Sequence, residues 1–154
     1  MANSHHGDTG RRKSPYLIAF SLPLPISKND RVQVHHRKVL TLEGGRPVQR
    51  VKALVHNSDA WSKYANNAIL LMLEQGIPRK YPHPAQDERI EISCRWFLKN
   101  DRTDCVNFHD LLADTIKKAI DVDDRWFLIK DLWSKVDEQD PHVWVSMTTI
   151  GEPP

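Results

Sequence analysis

Seven of the chain's twenty acidic residues fall between Asp101 and Asp124: Asp101, Asp104, Asp110, Asp114, Asp121, Asp123 and Asp124. Carboxylates crowded this closely repel one another unless a positive charge sits among them. A divalent cation is the most economical such charge. Magnesium takes octahedral oxygen ligation, usually with one or two protein carboxylates completed by substrate phosphate and water. A metal held in this way orients a water, lowers its pKa and stabilises charge developing on phosphorus. The chemistry indicated is hydrolysis of a phosphate ester.

The charge distribution supports a polyanionic partner. Residues 1–100 carry 16 Lys/Arg against 8 Asp/Glu, whereas residues 101–154 carry 6 against 12, so a net charge of +2 hides a basic part and an acidic part. Such a division suits a protein that holds a polyanion and sets metal-binding acids beside it. Solvated surface charge alone accounts for it equally well.

A length of 154 residues with 40% hydrophobic and 27% charged content describes one globular domain. Residues 1–15 read as a flexible basic tail and residues 16–150 as the domain. No apolar run approaches the roughly 18 residues of a membrane span. Met1 to Lys13 lacks the apolar stretch of a secretory signal. Cys94 and Cys105 form neither a metal spacing nor a disulfide framework. A cytoplasmic location fits these features.

The acids must be positioned by the elements around them. Tyr16 to Leu24 reads as a strand, and a polar, basic stretch follows over 26–37. Val39 to Leu42, then Gly44-Gly45, predicts a small hairpin closing near Val48. Asn57-Ser58-Asp59 starts a helix whose stripe is Trp61, Tyr64, Ala65, Ala68, Ile69 and Met72, ended by Gly76 and Pro78. Ile90, Ile92, Cys94, Trp96 and Leu98 alternate as a half-buried strand. A second helix is predicted over 107–120, with Phe108, Leu112, Thr115, Ile116, Ala119 and Ile120 on one arc and Asn107, Asp110, Asp114, Lys117 and Lys118 opposite. Trp126–Val136 and the alternating Val143, Val145 and Met147 complete the chain as strands. The fold class is α/β in the α+β sense: a mixed β-sheet with two helices packed against it.

This order puts Asp101 and Asp104 in the loop leaving a strand, Asp110 and Asp114 on an exposed helix face, and Asp123-Asp124 in the turn beyond. A helix of about 14 residues is roughly 20 Å long, so its two ends meet in one site only if the next strand brings the chain back. Each acid also has a plainer reading. Asp110 and Asp114 suit a solvated helix face, with Asp114 paired to Lys117 or Lys118. Asp123-Asp124 suits a turn, and Asp104 or Asn107 suits a helix cap. His109 is expected to be partly buried at the edge of the apolar arc. Trp96, Trp126, Trp133 and Trp144 read as core or interface anchors rather than surfaces for stacking bases.

Taken together, the residues resemble the RusA-type Holliday junction resolvases, endodeoxyribonucleases often carried by phages and prophages. That family opens with a strand ending in Leu-Pro-x-Pro-x-Ser-x-Asn and a basic stretch; here Leu22-Pro23-Leu24-Pro25-Ile26-Ser27-Lys28-Asn29-Asp30-Arg31 stands there. The family follows with a helix, a strand, an Arg-x-Asp-x-Asp-Asn-x-x-Lys loop, a second helix bearing Asp-Ala-Leu, and an Asp-Asp pair before a strand. Here Arg102-Thr103-Asp104-Cys105-Val106-Asn107-Phe108-His109-Asp110 occupies the loop, Asp114-Thr115-Ile116 the helix, and Asp123-Asp124 the pair. The resemblance covers roughly residues 17–148.

It implies a homodimer that cuts branched DNA, the four-way junction above all, with Mg²⁺ or Mn²⁺ as cofactor. It assigns Asp104 and Asp124 as metal ligands and Asn107 as a supporting group. Val106 stands where the family has its second loop aspartate, and Asp110 where it has its lysine. Asp110 would then supply the missing carboxylate from one helical turn on, with Asp101 as another candidate. The lysine has no direct counterpart, and Lys99, Lys117 and Lys118 are the ones that could reach inward in its place. Lys28, Arg31, Arg37, Lys38, Arg46, Arg50 and Arg102 would contact DNA, with tail residues Arg11, Arg12 and Lys13. The alternative expectation is a catalytically impaired branched-DNA-binding protein that kept the fold and dimer. A third is a structural or regulatory phage protein with no DNA role.

Overall fold

The computed structural model describes residues 17–30 and 32–151, with the backbone alone for residues 30, 32–37, 52 and 54–57. In chain order the elements are β1 (Ile18–Pro23), a 3-10 turn (Lys28–Asp30), β2 (Val32–Glu43), β3 (Arg46–Asn57), α1 (Asp59–Glu74), β4 (Glu88–Leu98), α2 (Val106–Ile120), a second 3-10 turn (Asp124–Trp126), β5 (Phe127–Val136) and β6 (His142–Gly151). The α+β class and the two helices agree with the reading of the sequence.

Four strands form one mixed sheet in the order β1-β6-β4-β5. β4 and β5 run parallel, joined through α2, while β6 pairs antiparallel with β1 and β4. Strand periodicity decides which face is buried. Phe20 and Leu22 of β1, Ile90, Ile92, Cys94, Trp96 and Leu98 of β4, and Val143, Val145 and Met147 of β6 enter a single core. Both helices lie on that face. Phe108, Leu112, Ile116, Ala119 and Ile120 of α2 and Ala68 and Met72 of α1 complete the core. The alternate residues of the four strands face away from both helices.

α1 begins where Ser58 Oγ accepts the Trp61 amide at 3.2 Å, satisfying one of the free N–H groups of the first turn. It ends at Gly76, whose φ of 82° is open to glycine. The Ile77 amide then donates to Met72 and the Gly76 amide to Leu73, each at 3.0 Å, closing the last carbonyls. Gln75 turns its side chain onto the free edge of β1. It accepts the Ser21 amide at 2.9 Å and donates to the Ser21 carbonyl at 2.8 Å, which blunts that edge against foreign strands. Among the described residues no helix is long and apolar enough to cross a membrane.

The expected small hairpin near 39–48 is a much longer ribbon. β2 and β3 pair in unbroken register from Val32↔Asn57 to Glu43↔Arg46. At 12 residues per strand the ribbon reaches about 40 Å. It is a separate two-stranded sheet, rooted at the 3-10 turn Lys28–Asp30, which itself packs on α2. The turn residues Gly44 and Gly45 have φ of 57° and 79°, the left-handed conformations that a tight hairpin turn requires.

Candidate acidic site and basic ribbon

α2 carries the acids at its two ends. At the start, Asp104 Oδ1 accepts the Val106 amide at 3.1 Å and the Asp104 carbonyl accepts the Asn107 amide at 3.1 Å. A carboxylate here answers the free amides and positive end of the helix. Asp104 thus binds the first amide of α2 from one residue before the N-cap Cys105, and Asn107 is half-buried on the first turn. The loop before it is folded around Asn100, whose Oδ1 accepts the Arg102 amide at 3.1 Å and the Thr103 hydroxyl at 3.0 Å. Arg102 is exposed.

At the other end, Asp121 closes α2 in the left-handed conformation, φ 57°. Asp123 Oδ1 then accepts the Arg125 amide at 3.0 Å. Lys117, one turn back along α2, places Nζ 3.2 Å from Asp124 Oδ1 and 3.6 Å from Asp123 Oδ2. The Arg125 amide, and then Lys117, hold the Asp123 carboxyl below its usual range. The bond to Asp124 in turn raises Lys117. Of the three lysines put forward for the missing cation, Lys117 is the one seated on the acid pair. Asp110 is exposed and Asp114 half-buried on α2, and each makes further polar or electrostatic contacts.

The 15 residues of α2 separate Asp104 from Asp124 by roughly 22 Å. β5 runs parallel to β4 and so returns the chain to the first end, where the Asp137 amide donates to the Leu98 carbonyl at 2.7 Å, but Asp124 precedes β5 and stays at the far end. Among the described residues no group of three or more His, Cys, Asp or Glu side chains is placed to hold a metal ion. Asp104, Asp110 and Asp124 therefore do not fit magnesium or manganese within one protomer.

Beside the acid pair lies a shallow cavity of about 300 Å³ lined by Arg89, Arg125 and Trp126. The two guanidinium carbons stand 5.3 and 5.4 Å from the Trp126 ring, in cation–π range. The reading of the sequence does not single out these arginines. Their approach is tertiary: Arg89 opens β4, and Arg125 precedes the parallel strand beside it.

A further residue that the sequence reading misses is Asp131. It sits on the core face of β5, opposite Cys94. The Trp96 indole Nε1 donates to its Oδ1 at 2.6 Å, and His109 Nε2 lies 3.0 Å from both carboxylate oxygens. His109 is half-buried as expected, stacked at 6.2 Å over Trp96. Burial, then Asp131, pushes the Cys94 thiol up to about 12. Cys105 is raised by its own burial, then by Asp131 and Asp104. A signal is present: Asp131 follows Phe127 and Ile129 at period two, an acid on an inward-facing position.

Of the cations put forward for DNA, Lys28 is exposed on the turn that packs against α2, and Lys38, Arg46 and Arg50 are exposed on the ribbon. Register divides them. Arg46 and Arg50 share a face with Glu43, which pairs with Arg50, whereas Lys38 shares the other with Leu40 and Val51. Leu40, Leu42 and Val51 are 74%, 77% and 60% exposed. Arg31, the side chain of Arg37 and the tail residues Arg11, Arg12 and Lys13 lie outside the described residues.

The tryptophans separate into two groups. Trp96 is fully buried and Trp126 partly so, in line with anchoring, but Trp133 and Trp144 are 43% and 41% exposed. Both lie on the sheet face turned away from α1 and α2, and neither belongs to the core.

No family model matches the chain, and no curated protein matches it. Among solved structures, it shares 11% identity with 2C-methyl-D-erythritol 2,4-cyclodiphosphate synthase of Plasmodium vivax, over 89% of this chain and 97% of that one, with a TM-score of 0.27. It shares 10% identity with the CDP complex of IspF from Plasmodium falciparum, over the same shares of the two chains, with a TM-score of 0.28. Likenesses at these scores carry no argument about fold or function.

Proposed function

We propose that this protein binds branched DNA as a homodimer and acts as a structure-selective endonuclease of the RusA type. In this reading the acidic site is completed between protomers. The observation that carries it is the placement of Asp104 and Asp124 at opposite ends of α2, each set beside a basic group or an accessible surface and neither able to reach the other within one chain.

The edge strand β5 offers a route to the second copy. Among the described residues its outer edge is unpaired, and Leu128, Leu132 and Val136 of the strand are 40%, 46% and 47% exposed. An unprotected edge of this kind is a template for another strand. Antiparallel pairing of β5 with a second β5 would also set the two α2 helices antiparallel on one face of a continuous sheet. The start of one α2 would then face the end of the other, bringing Asp104 of one copy towards Asp124 of its partner. Lys117 would supply the cation that steadies charge on the scissile phosphate.

The ribbon supplies the grip. A two-stranded ribbon fits the major groove of duplex DNA. An isolated hairpin of this length is marginal in water without something to lie on. Arg46 and Arg50 on one face and Lys38 on the other would contact phosphates on the arms of a junction.

A second reading, binding without efficient cutting, is favoured by Val106, which leaves the first turn of α2 without an acid. Both readings require junction binding, measured as a gel shift against duplex of equal length. Alanine at Lys38, Arg46 and Arg50 together should weaken binding. It should also lower the slope of log affinity against log salt by about 0.9 for each phosphate no longer neutralised. An unchanged slope would remove the ribbon from the interface.

A further inference from the structure

The sheet face turned away from the helices carries a row of aromatic and cationic side chains. Arg95 of β4 is in register with Trp144 of β6 on one side and Trp133 of β5 on the other. The two exposed indoles therefore stand two strand spacings apart, about 10 Å, with a guanidinium between them. One row further along, Phe97 is stacked on His142 with ring centres 4.0 Å apart and planes within 11°. Lys135 Nζ lies 4.6 Å above the same ring, and Trp133 meets it edge-on at 5.3 Å. These contacts hold Trp133 in place before anything binds. On the other side of the tryptophan row stand the small residues Ser93 and Ser146, paired in register.

We propose that this open sheet face binds single-stranded nucleic acid, with bases stacked on Trp133 and Trp144 and phosphates drawn to Arg95 and Lys135. This proposal is independent of the junction reading, since the face lies on the opposite side of the sheet from α2. Stacking on aromatic side chains along a basic track is the means by which single strands are held without regard to sequence.

The charges favour a polyanion over a second copy of the chain. Among the described residues neither Arg95 nor Lys135 has a carboxylate partner. Glu91, the acid within this face, is bound by Lys130 at 2.6 Å. Asp137, Glu138 and Asp140 lie at the turn between β5 and β6 and bound the platform at that end. A two-fold contact centred on this face would set Arg95 against its own copy, a like-charge juxtaposition that disfavours self-association. Edge pairing of β5 leaves the face open.

The test uses the whole chain in EDTA, with a labelled short oligo(dT) followed by anisotropy and the protein followed by tryptophan emission. The expected result is saturable, salt-sensitive binding with quenched emission. Trp144→Ala should weaken oligo(dT) binding roughly five- to hundredfold, Trp144→Phe should recover most of it, and affinity for blunt duplex should be unchanged in both. Trp133→Ala provides a second variant should Trp144→Ala fail to fold. The proposal is overturned if oligo(dT) does not bind, if the alanine variants bind it as the native chain does, or if duplex binding falls in parallel. Sedimentation showing that Trp144→Ala dissociates a dimer would also overturn it, assigning the face to self-association.

Discussion

Lys117 Nζ lies 3.2 Å from Asp124 Oδ1, so the acid pair at the end of α2 already has a cation among its carboxylates. The chain supplies part of the positive charge that acid crowding demands. Under the proposed function, Lys117 would be the lysine that stands in for the one the resolvase pattern places in the loop. Lys117→Gln is expected to leave the melting temperature nearly unchanged, because exposed pairs contribute little to stability. It is expected to lower junction cleavage by about a hundredfold, the scale of losing one stabilising group at a reacting phosphate. Single-turnover cleavage beside a thermal melt separates the two effects.

Val106 is the opposite case, a 51% exposed apolar residue at the start of a helix whose first turn holds no acid. Val106→Asp puts a carboxylate at the positive end of the helix, which should raise stability by about 0.3–1 kcal/mol. It also restores the second loop aspartate of the pattern, so cleavage should rise. A variant that melts higher but cuts no better would detach that position from catalysis.

Asp131 holds Trp96 and His109 together from β5. Asp131→Ala leaves the indole N–H of a fully buried tryptophan without its acceptor, at a cost of about 1–3 kcal/mol, or roughly 2–4 °C per kcal/mol for a chain of this size. Asp131→Asn keeps an acceptor oxygen and should cost less than half as much. Equal losses in chemical denaturation would show that charge, not the bond to Trp96, is what the fold uses.

The two thiols should differ in reactivity. Cys94 is fully buried and pushed up to about 12, whereas Cys105 is partly exposed, its thiol raised by burial and then by Asp131 and Asp104. Thiolate is the reactive form. An aromatic disulfide reagent at neutral pH should therefore titrate one thiol slowly in the native protein and both in denaturant. Cys105→Ser should abolish the native reaction. Retention of that reaction would mean that Cys94 is reached by opening of the core.

Much of this arrangement is legible in the residues because burial writes a period into them. The stripe from Trp61 to Met72 and the alternation from Ile90 to Leu98 mark α1 and β4 to within a residue or two at most ends, since each has one wet and one dry face. The ribbon is longer than its residues suggest for the opposite reason. Its described side chains include exposed residues on both faces, Leu40, Leu42 and Val51 with Lys38 on one and Arg46 and Arg50 on the other, so basic and apolar positions mix without a period. β5 blurs likewise, as an edge strand exposed along much of its length. The acids lie along α2 as their positions in the chain indicate, but a one-dimensional cluster does not reveal that a helix holds its members apart. Trp144 illustrates a signal that is present: it alternates with Val143 and Val145, and if they face the core it must face away.

The most direct test of the proposed function is subunit complementation with Asp104→Asn and Asp124→Asn. Each variant alone should bind junctions and fail to cut them in Mg²⁺ or Mn²⁺. If the site is shared between protomers, mixing the two gives heterodimers in which one site is doubly altered and the other keeps both native aspartates. Nicking of the junction should then return, at no more than half the native rate. If mixed dimers form and stay inactive while the native chain cuts, both acids act within one protomer and the shared site is wrong.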